Sequence, residues 1–319
     1  MSRLIILHPT DMVGSELRET LEQHRQSWQD LRLVSTLPEE IGTIADVRGD
    51  ATFVQPLESD TFDNVDAVFF CGPMRQNRAA LDALPPAATA ILLSPDAGPD
   101  DGQPIVATIN PHRIDPLRPI VSPNPGAIAL AHLLHPLAAF GLSRATATLL
   151  RPISAFGSEA LDEMLAQTRS LLNFSSRPGG ILPTQMAFNF LPTIDGIDAN
   201  LPRLVTTLLD RDLDLTVSTL QAGVFHSYAI HLCVELGDDP GPEAVRETLG
   251  DHISNELSED PELLGPIDAA GQSKVLIGPV QGAGRPGAYW IWAVMDNLTC
   301  GGASNAMRIF EAVQRQHVH

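Results

Sequence analysis

Few side chains in this chain could do covalent or acid–base work. Three cysteines, Cys71, Cys233 and Cys300, are scattered through 319 residues without a CxxC pair. That spacing argues against a disulfide framework and a structural zinc site, and leaves each as a small packing residue. Lys274 is the sole lysine, so Schiff-base chemistry has one candidate, set in an expected strand. His226 and His231, in GVFHSYAIH, could move protons, although a strand histidine more often packs or hydrogen-bonds. Arg151, in LLRPISAFG, could hold an anion; pairing with a nearby acid is the commoner role in so acidic a chain. His8 to Gly14, HPTDMVG, stands between an apolar run and a helix-like stretch. In SPNPGAIAL, Asn124 suits a helix N-cap and Pro125 a helix's first turn.

The elements that must position these groups change character along the chain. LIIL from Leu4, a helix-like stretch from Gly14 to Gln26, LRLVS from Leu31, VDAVFF from Val65 and AILL from Ala90 alternate apolar runs with amphipathic ones. This rhythm predicts an α/β architecture, a parallel sheet covered by helices. SPDAGPDDGQP reads as a loop, and a short strand over 119–122 leads to the helix that begins near Pro125, where the first domain ends. Beyond it, strands over 145–150, 213–224, 226–235, 274–280 and 289–294, with helical stretches such as 159–172, suit an antiparallel or mixed α+β layer. GGASNAMRIFEAVQRQ reads as a C-terminal helix. There is no internal repeat and no low-complexity tract.

Charge narrows the function classes. Twenty basic residues face 39 acidic ones, a formal charge of −19, which repels phosphate backbones and anionic headgroups and excludes nucleic acid and membrane surfaces as partners. No apolar run is long enough to cross a bilayer and the N-terminus begins with LIIL instead of a cleavable leader, so a cytoplasmic location is expected.

Five blocks in order carry a resemblance over nearly the whole chain: HPTDMVGSEL, VDAVFFCG, SPNPGAIAL, MAFNFLPTI and DNLTCGGASNAMRIFE. They resemble the GATGxVG turn, the fourth strand, the nucleophile segment, the FNxxP block and the DNLxxGAAxNA signature of the aspartate-semialdehyde dehydrogenases. The last two are the specific ones. The resemblance implies a Rossmann-type dinucleotide-binding domain over 1–124, completed by a C-terminal helix over 302–319. It implies an α+β domain over 125–301 that in this family makes the dimer and carries the catalytic residues. It also implies a reaction: a cysteine thiolate attacks an acyl phosphate or aldehyde, a histidine moves the proton, and NADP exchanges the hydride.

Each of those roles can be followed into this sequence. The nucleophile position is Pro125, which has no thiol and no backbone N–H to help an oxyanion. The proton-transfer histidine resembles His226, with a shorter segment before it. The family's substrate-gripping arginine is Gln221, which keeps hydrogen bonding and loses the charge. The family's acyl-positioning glutamine is Arg151. In the cofactor turn Thr10 and Gly14 remain, while His8 and Asp11 replace two glycines, and Asp11 would set a carboxylate against a phosphate. Asn297 and Asn305 belong to the block that in active relatives lines cofactor and substrate, and the late arginine pair is here Pro279 and Gln281. No metal site is expected. NADP binding is expected to be weak or absent, Thr10, Gly14, Asn297 and Asn305 being vestiges of a site, with NADP the cofactor if the protein does act as a dehydrogenase.

The leading expectation is a catalytically degenerate, Usg-type member of that family, a homodimer or a heterodimer with an active paralogue, that binds or interacts. A second is an active NADP-dependent dehydrogenase in aspartate-family amino-acid biosynthesis. A third is a small-molecule sensor using Arg151 or His8.

Overall fold

In a computed structural model, residues 2–176, 179–193 and 200–317 are described. The chain forms two compact units, Met1–Asn124 with Gly302–His319, and Pro125–Gly301.

The first unit is built on strands β1 (Ser2–Leu7), β2 (Trp28–Ser35), β5 (Gln55–Pro56), β6 (Ala67–Phe70), β7 (Thr89–Leu92), β8 (Gln103–Pro104) and β9 (Ile120–Val121), with the hairpin β3 (Ile44–Val47) and β4 (Asp50–Phe53) set apart. The sheet runs β5-β2-β1-β6-β7-β9-β8, and its pairings are parallel. Its apolar runs are continuous because both faces are covered. Along β1, Leu4 and Ile6 join one core with Leu17, Leu21, Phe69 and Phe310, whereas Ile5 and Leu7 join another with Val68, Phe70 and Met74. Helices α1 (Met12–Gln23) and α8 (Ser304–His317) cover the first face, and α2 (Met74–Asp82) the second. This is the helix-covered parallel α/β sheet that the sequence rhythm predicts, and it is Rossmann-like as the resemblance implies.

The second unit carries β10 (Arg144–Arg151), β11 (Phe190–Pro192), β12 (Asp214–Ala222), β13 (Tyr228–Glu235), β14 (Asn255–Leu257), β15 (Val275–Gly282) and β16 (Ala288–Met295), in the order β11-β12-β10-β13-β16-β15-β14. The sheet is mixed: β10 runs parallel to β12 and antiparallel to β13. Helices α3 (Pro125–Leu134), α4 (Ser158–Leu172), α5 (Leu201–Leu209), α6 (Pro242–Gly250) and α7 (Pro266–Ala269) complete it. Alternation along β10 buries Ala145, Ala147 and Leu149 and leaves Thr146 and Thr148 on the other face. Strand pairing sets Cys233 and His231 beside those threonines, and Trp290 and Trp292 beside Cys233 and His231. This face is only partly covered; His231 stacks on Trp290 with ring centroids 4.4 Å apart.

Two expectations need correction. The strand expected from His226 begins at Tyr228, and His226 sits in a bend. The left-handed backbone of Ser227, φ 72°, cannot belong to a pleated strand, so the chain must turn before pairing starts. The long C-terminal helix opens with a π-helical turn over Thr299–Ala303 before α8 begins at Ser304. Ile194, at the end of the MAFNFLPTI block, lies outside the described residues.

Candidate functional site

Pro125 is the first residue of α3, where a fixed φ and a missing N–H cost nothing. The segment 296–301 packs onto it: a Cβ added to Gly301 would stand 2.6 Å from Pro125 Cβ and 2.9 Å from Met295 Cε. Only a glycine allows that approach. Asp296 holds the segment in shape. Its Oδ1 accepts from the backbone N–H groups of Leu298 and Thr299 at 2.8 and 2.9 Å, its Oδ2 from Gly271 at 2.9 Å, and its carbonyl from Gly301 at 3.0 Å. Cys300 lies buried within this turn.

Four of the residues singled out from sequence come together at one end of the mixed sheet. Arg151 and Gln221 are register partners on β10 and β12. Gln221 is fully buried and its Nε2 donates to the Arg151 carbonyl at 2.9 Å. The Arg151 guanidinium, buried as well, lies 4.5 Å from the centre of the Phe156 ring and donates to the Ala155 carbonyl at 3.4 Å. The arginine head thus lies against its own following loop, and the Gln221 Nε2 serves strand architecture while its Oε1 is buried without a hydrogen-bond partner. Asn297 ties this end together: its Oδ1 accepts from Ser154 Oγ at 3.1 Å and from the Ser227 backbone N–H at 3.1 Å. Ser154 and Ile153 in turn donate to the carbonyls of Phe225 and Val224 at 2.9 Å, which sets His226, half-buried in its bend, beside that loop. The resemblance implies a cofactor-lining role for Asn297; in the structure its Oδ1 accepts both of these hydrogen bonds from the fold.

The turn between β1 and α1 belongs to the first unit. His8 is buried with φ 58°, a left-handed conformation that glycine adopts without strain. Its Nδ1 stands 3.1 Å from Ser35 Oγ and 3.5 Å from Glu40 Oε2, and its Nε2 3.3 Å from Thr36 Oγ1. Thr10 Oγ1 donates to Glu40 Oε1 at 2.5 Å. Asp11 caps α1, accepting from Val13 N at 3.3 Å; burial pushes its carboxyl up, the Val13 and Met12 amides oppose this, and the Glu40 charge adds to it. Gly14 is required by packing, since a Cβ there would lie 2.6 Å from the His8 carbonyl. Asn305 Oδ1 accepts from Ala107 N at 3.0 Å, and its Nδ2 donates to Ile105 O and Ser122 Oγ, each at 2.9 Å, so it braces the ends of β8 and β9. Glu40 was not singled out from sequence. The available signal was the acidic pair Glu39–Glu40 just after the β2 run, but nothing in it shows a reach of thirty residues back to Thr10.

Set out in this way, the residues do not fit a dinucleotide phosphate: the turn offers a strained histidine and two carboxylates where the phosphate needs backbone N–H groups and no negative charge. Among the described residues no group of three potential ligands could hold a metal ion, and no helix is long and apolar enough to cross a membrane.

Comparison with known proteins fits this two-unit frame. Residues 134–300 match the semialdehyde dehydrogenase dimerisation-domain model. The chain is 28% identical to the USG-1 protein homolog of Azotobacter vinelandii over 98% of each protein. It is 25% identical to the aspartate-semialdehyde dehydrogenase of Bacillus subtilis, over 97% of this chain and 96% of that one. A solved structure of a probable aspartate-semialdehyde dehydrogenase from Pseudomonas aeruginosa superposes with a TM-score of 0.93 at 23% identity, covering 99% of both chains, which establishes the shared fold. The chain belongs to the aspartate-semialdehyde dehydrogenase family and is of its Usg type.

Proposed function

We propose that this chain is a non-catalytic, dimeric member of its family with a binding or interaction role. The observation that carries the reading is Pro125 at the head of α3, packed against Gly301. Acyl transfer through a covalent intermediate needs a nucleophile, ideally a thiolate at a helix N-terminus, and a prolyl ring offers none. The surroundings support the same reading, since position 221 carries a neutral amide whose Nε2 donates to the Arg151 carbonyl, and the Arg151 guanidinium lies against Phe156 and the Ala155 carbonyl. The partly covered sheet face carrying Trp290 and Trp292 is the surface we assign to dimerisation, in line with the description of the matching domain. Whether the second copy is this chain or an active paralogue is read by co-purification from the native host.

The test is a phosphate-dependent oxidation assay of aspartate semialdehyde with NADP. We expect no turnover above background. Saturable turnover with an acyl adduct trapped on any side chain would overturn the proposal.

A further inference from the structure

We propose that the Glu40 carboxylate is an internal substitute for a dinucleotide phosphate, occupying the anion position over the β1–α1 turn and so keeping adenine dinucleotides out of the first unit. The inference rests on the non-catalytic reading and names one residue responsible for the loss of cofactor.

In a parallel α/β sheet the anion position lies beyond the carboxyl end of the first strand, at the N-terminus of the helix that follows. Glu40 comes from the loop after β2 and reaches that place, with Thr10 Oγ1 donating to it at 2.5 Å and His8 Nδ1 standing 3.5 Å away. Its loop is closed on itself. Glu40 N and Ile41 N donate to the Leu37 carbonyl at 3.0 and 3.3 Å, Thr43 Oγ1 donates to the Glu40 carbonyl at 2.6 Å, and Gly42 N donates to Val54 O at 2.9 Å. The side chain is therefore presented from a fixed base, and only 12% of it is exposed. Burial pushes its carboxyl up, but hydrogen bonds from His8, Ser35 and Thr10 more than offset that and hold it below its ordinary value. A largely covered carboxylate with a hydroxyl donating to one oxygen and an imidazole close to the other occupies the place that an anion subsite keeps for a ligand. Here the anion is covalently part of the protein, so it is present at high effective concentration and no free phosphate competes with it on equal terms. Asp11 adds a second carboxylate on the amide of Val13 at the same helix end.

The turn otherwise keeps its form, with a left-handed residue at position 8 and the close approach at Gly14. Removing one side chain should therefore reopen the position. The experiment is a titration of NADPH, followed by its fluorescence, into the full-length protein, Glu40→Gln and Glu40→Ala, with thermal melts confirming that each variant is folded. We expect Glu40→Ala to bind NADPH at least about tenfold more tightly than the parent, through lost like-charge repulsion and freed space, with Glu40→Gln gaining less. Equal affinities in parent and both variants overturn the inference, whether binding is weak or tight, and Glu40→Gln decides the matter should the alanine variant fail to fold. Failure here leaves the non-catalytic proposal standing, because that proposal falls only to semialdehyde turnover by the unaltered protein.

Discussion

Asn297 is the residue whose removal best separates architecture from chemistry. It is 3% exposed, and its Oδ1 accepts two hydrogen bonds at 3.1 Å, from Ser154 Oγ and Ser227 N. In Asn297→Ala both donors lose their acceptor in a site closed to water. A buried donor left unsatisfied costs about 1–3 kcal/mol; the Ser154 hydroxyl can rotate towards another acceptor, whereas the Ser227 amide is fixed, so the expected loss is about 2–4 kcal/mol in all. The unit affected is Pro125–Gly301, and for a body of that size each kcal/mol moves the melting temperature by about 2–4 °C. Melting should therefore fall by about 4–16 °C. Tryptophan fluorescence suits the assay because Trp290 and Trp292 lie on β16, which leads directly into Asn297. Asn297→Asp keeps an acceptor towards both donors and should lose clearly less. An alanine variant that melts within about 1 °C of the parent would refute the assignment of Asn297 to the fold.

The other predictions concern strain, packing and charge. Ser227 has φ 72° and a buried hydroxyl without a partner, so Ser227→Gly should stabilise by about 1 kcal/mol after the entropy cost of glycine, read as a higher urea midpoint. Gly301→Ala forces a methyl to 2.6 Å from Pro125 Cβ and should cost about 1–3 kcal/mol; a double-mutant cycle with Pro125→Gly should recover part of that loss, and strict additivity would deny the contact. Asp11 has a raised pKa, so its ionised form costs stability at neutral pH and the cost fades as pH falls through its folded value. Asp11→Asn retains the helix cap and should stabilise at pH 7, with the gain shrinking in acid where the parent is protonated; a gain independent of pH refutes the charge argument. Glu40 has the opposite sign: its lowered pKa gives stability that is present above its ordinary value and lost below it.

How much of this was legible from sequence depended on whether the signal was local. β1 shows itself because LIIL is apolar throughout, and its being buried on two faces, Leu4 and Ile6 in one core and Ile5 and Leu7 in the other, is what a parallel sheet demands. β10 shows itself through alternation. By contrast, the strand expected from His226 fails at Ser227, whose left-handed φ accompanies a backbone hydrogen bond to Asn297, seventy residues away and invisible to any local pattern. Side-chain employment is just as non-local. The sequence marks Arg151 as a cation without saying that it turns onto Phe156, and marks Glu40 as an acid without placing it on Thr10.

The residues that still match the family pattern share a property that the altered ones lack. Asp296 fixes a turn through three backbone amides, Asn297 joins two loops, Asn305 braces two strand ends, and Gly14 permits a contact that no side chain could survive. Changing any of them leaves buried polar groups unpaired or forces backbone apart, at a cost of a kilocalorie or more in a molecule whose whole margin is of order ten. At Pro125 and His8, where the sequence resemblance leads one to expect a reacting thiol and a phosphate-facing glycine, the residues present are accommodated as the first residue of α3 and as a left-handed turn residue. A signature such as DNLTCGG therefore reports the scaffold. Activity has to be read at positions whose only work is chemical, and in proposing a non-catalytic protein we read the head of α3, where Pro125 stands, as the foremost of these.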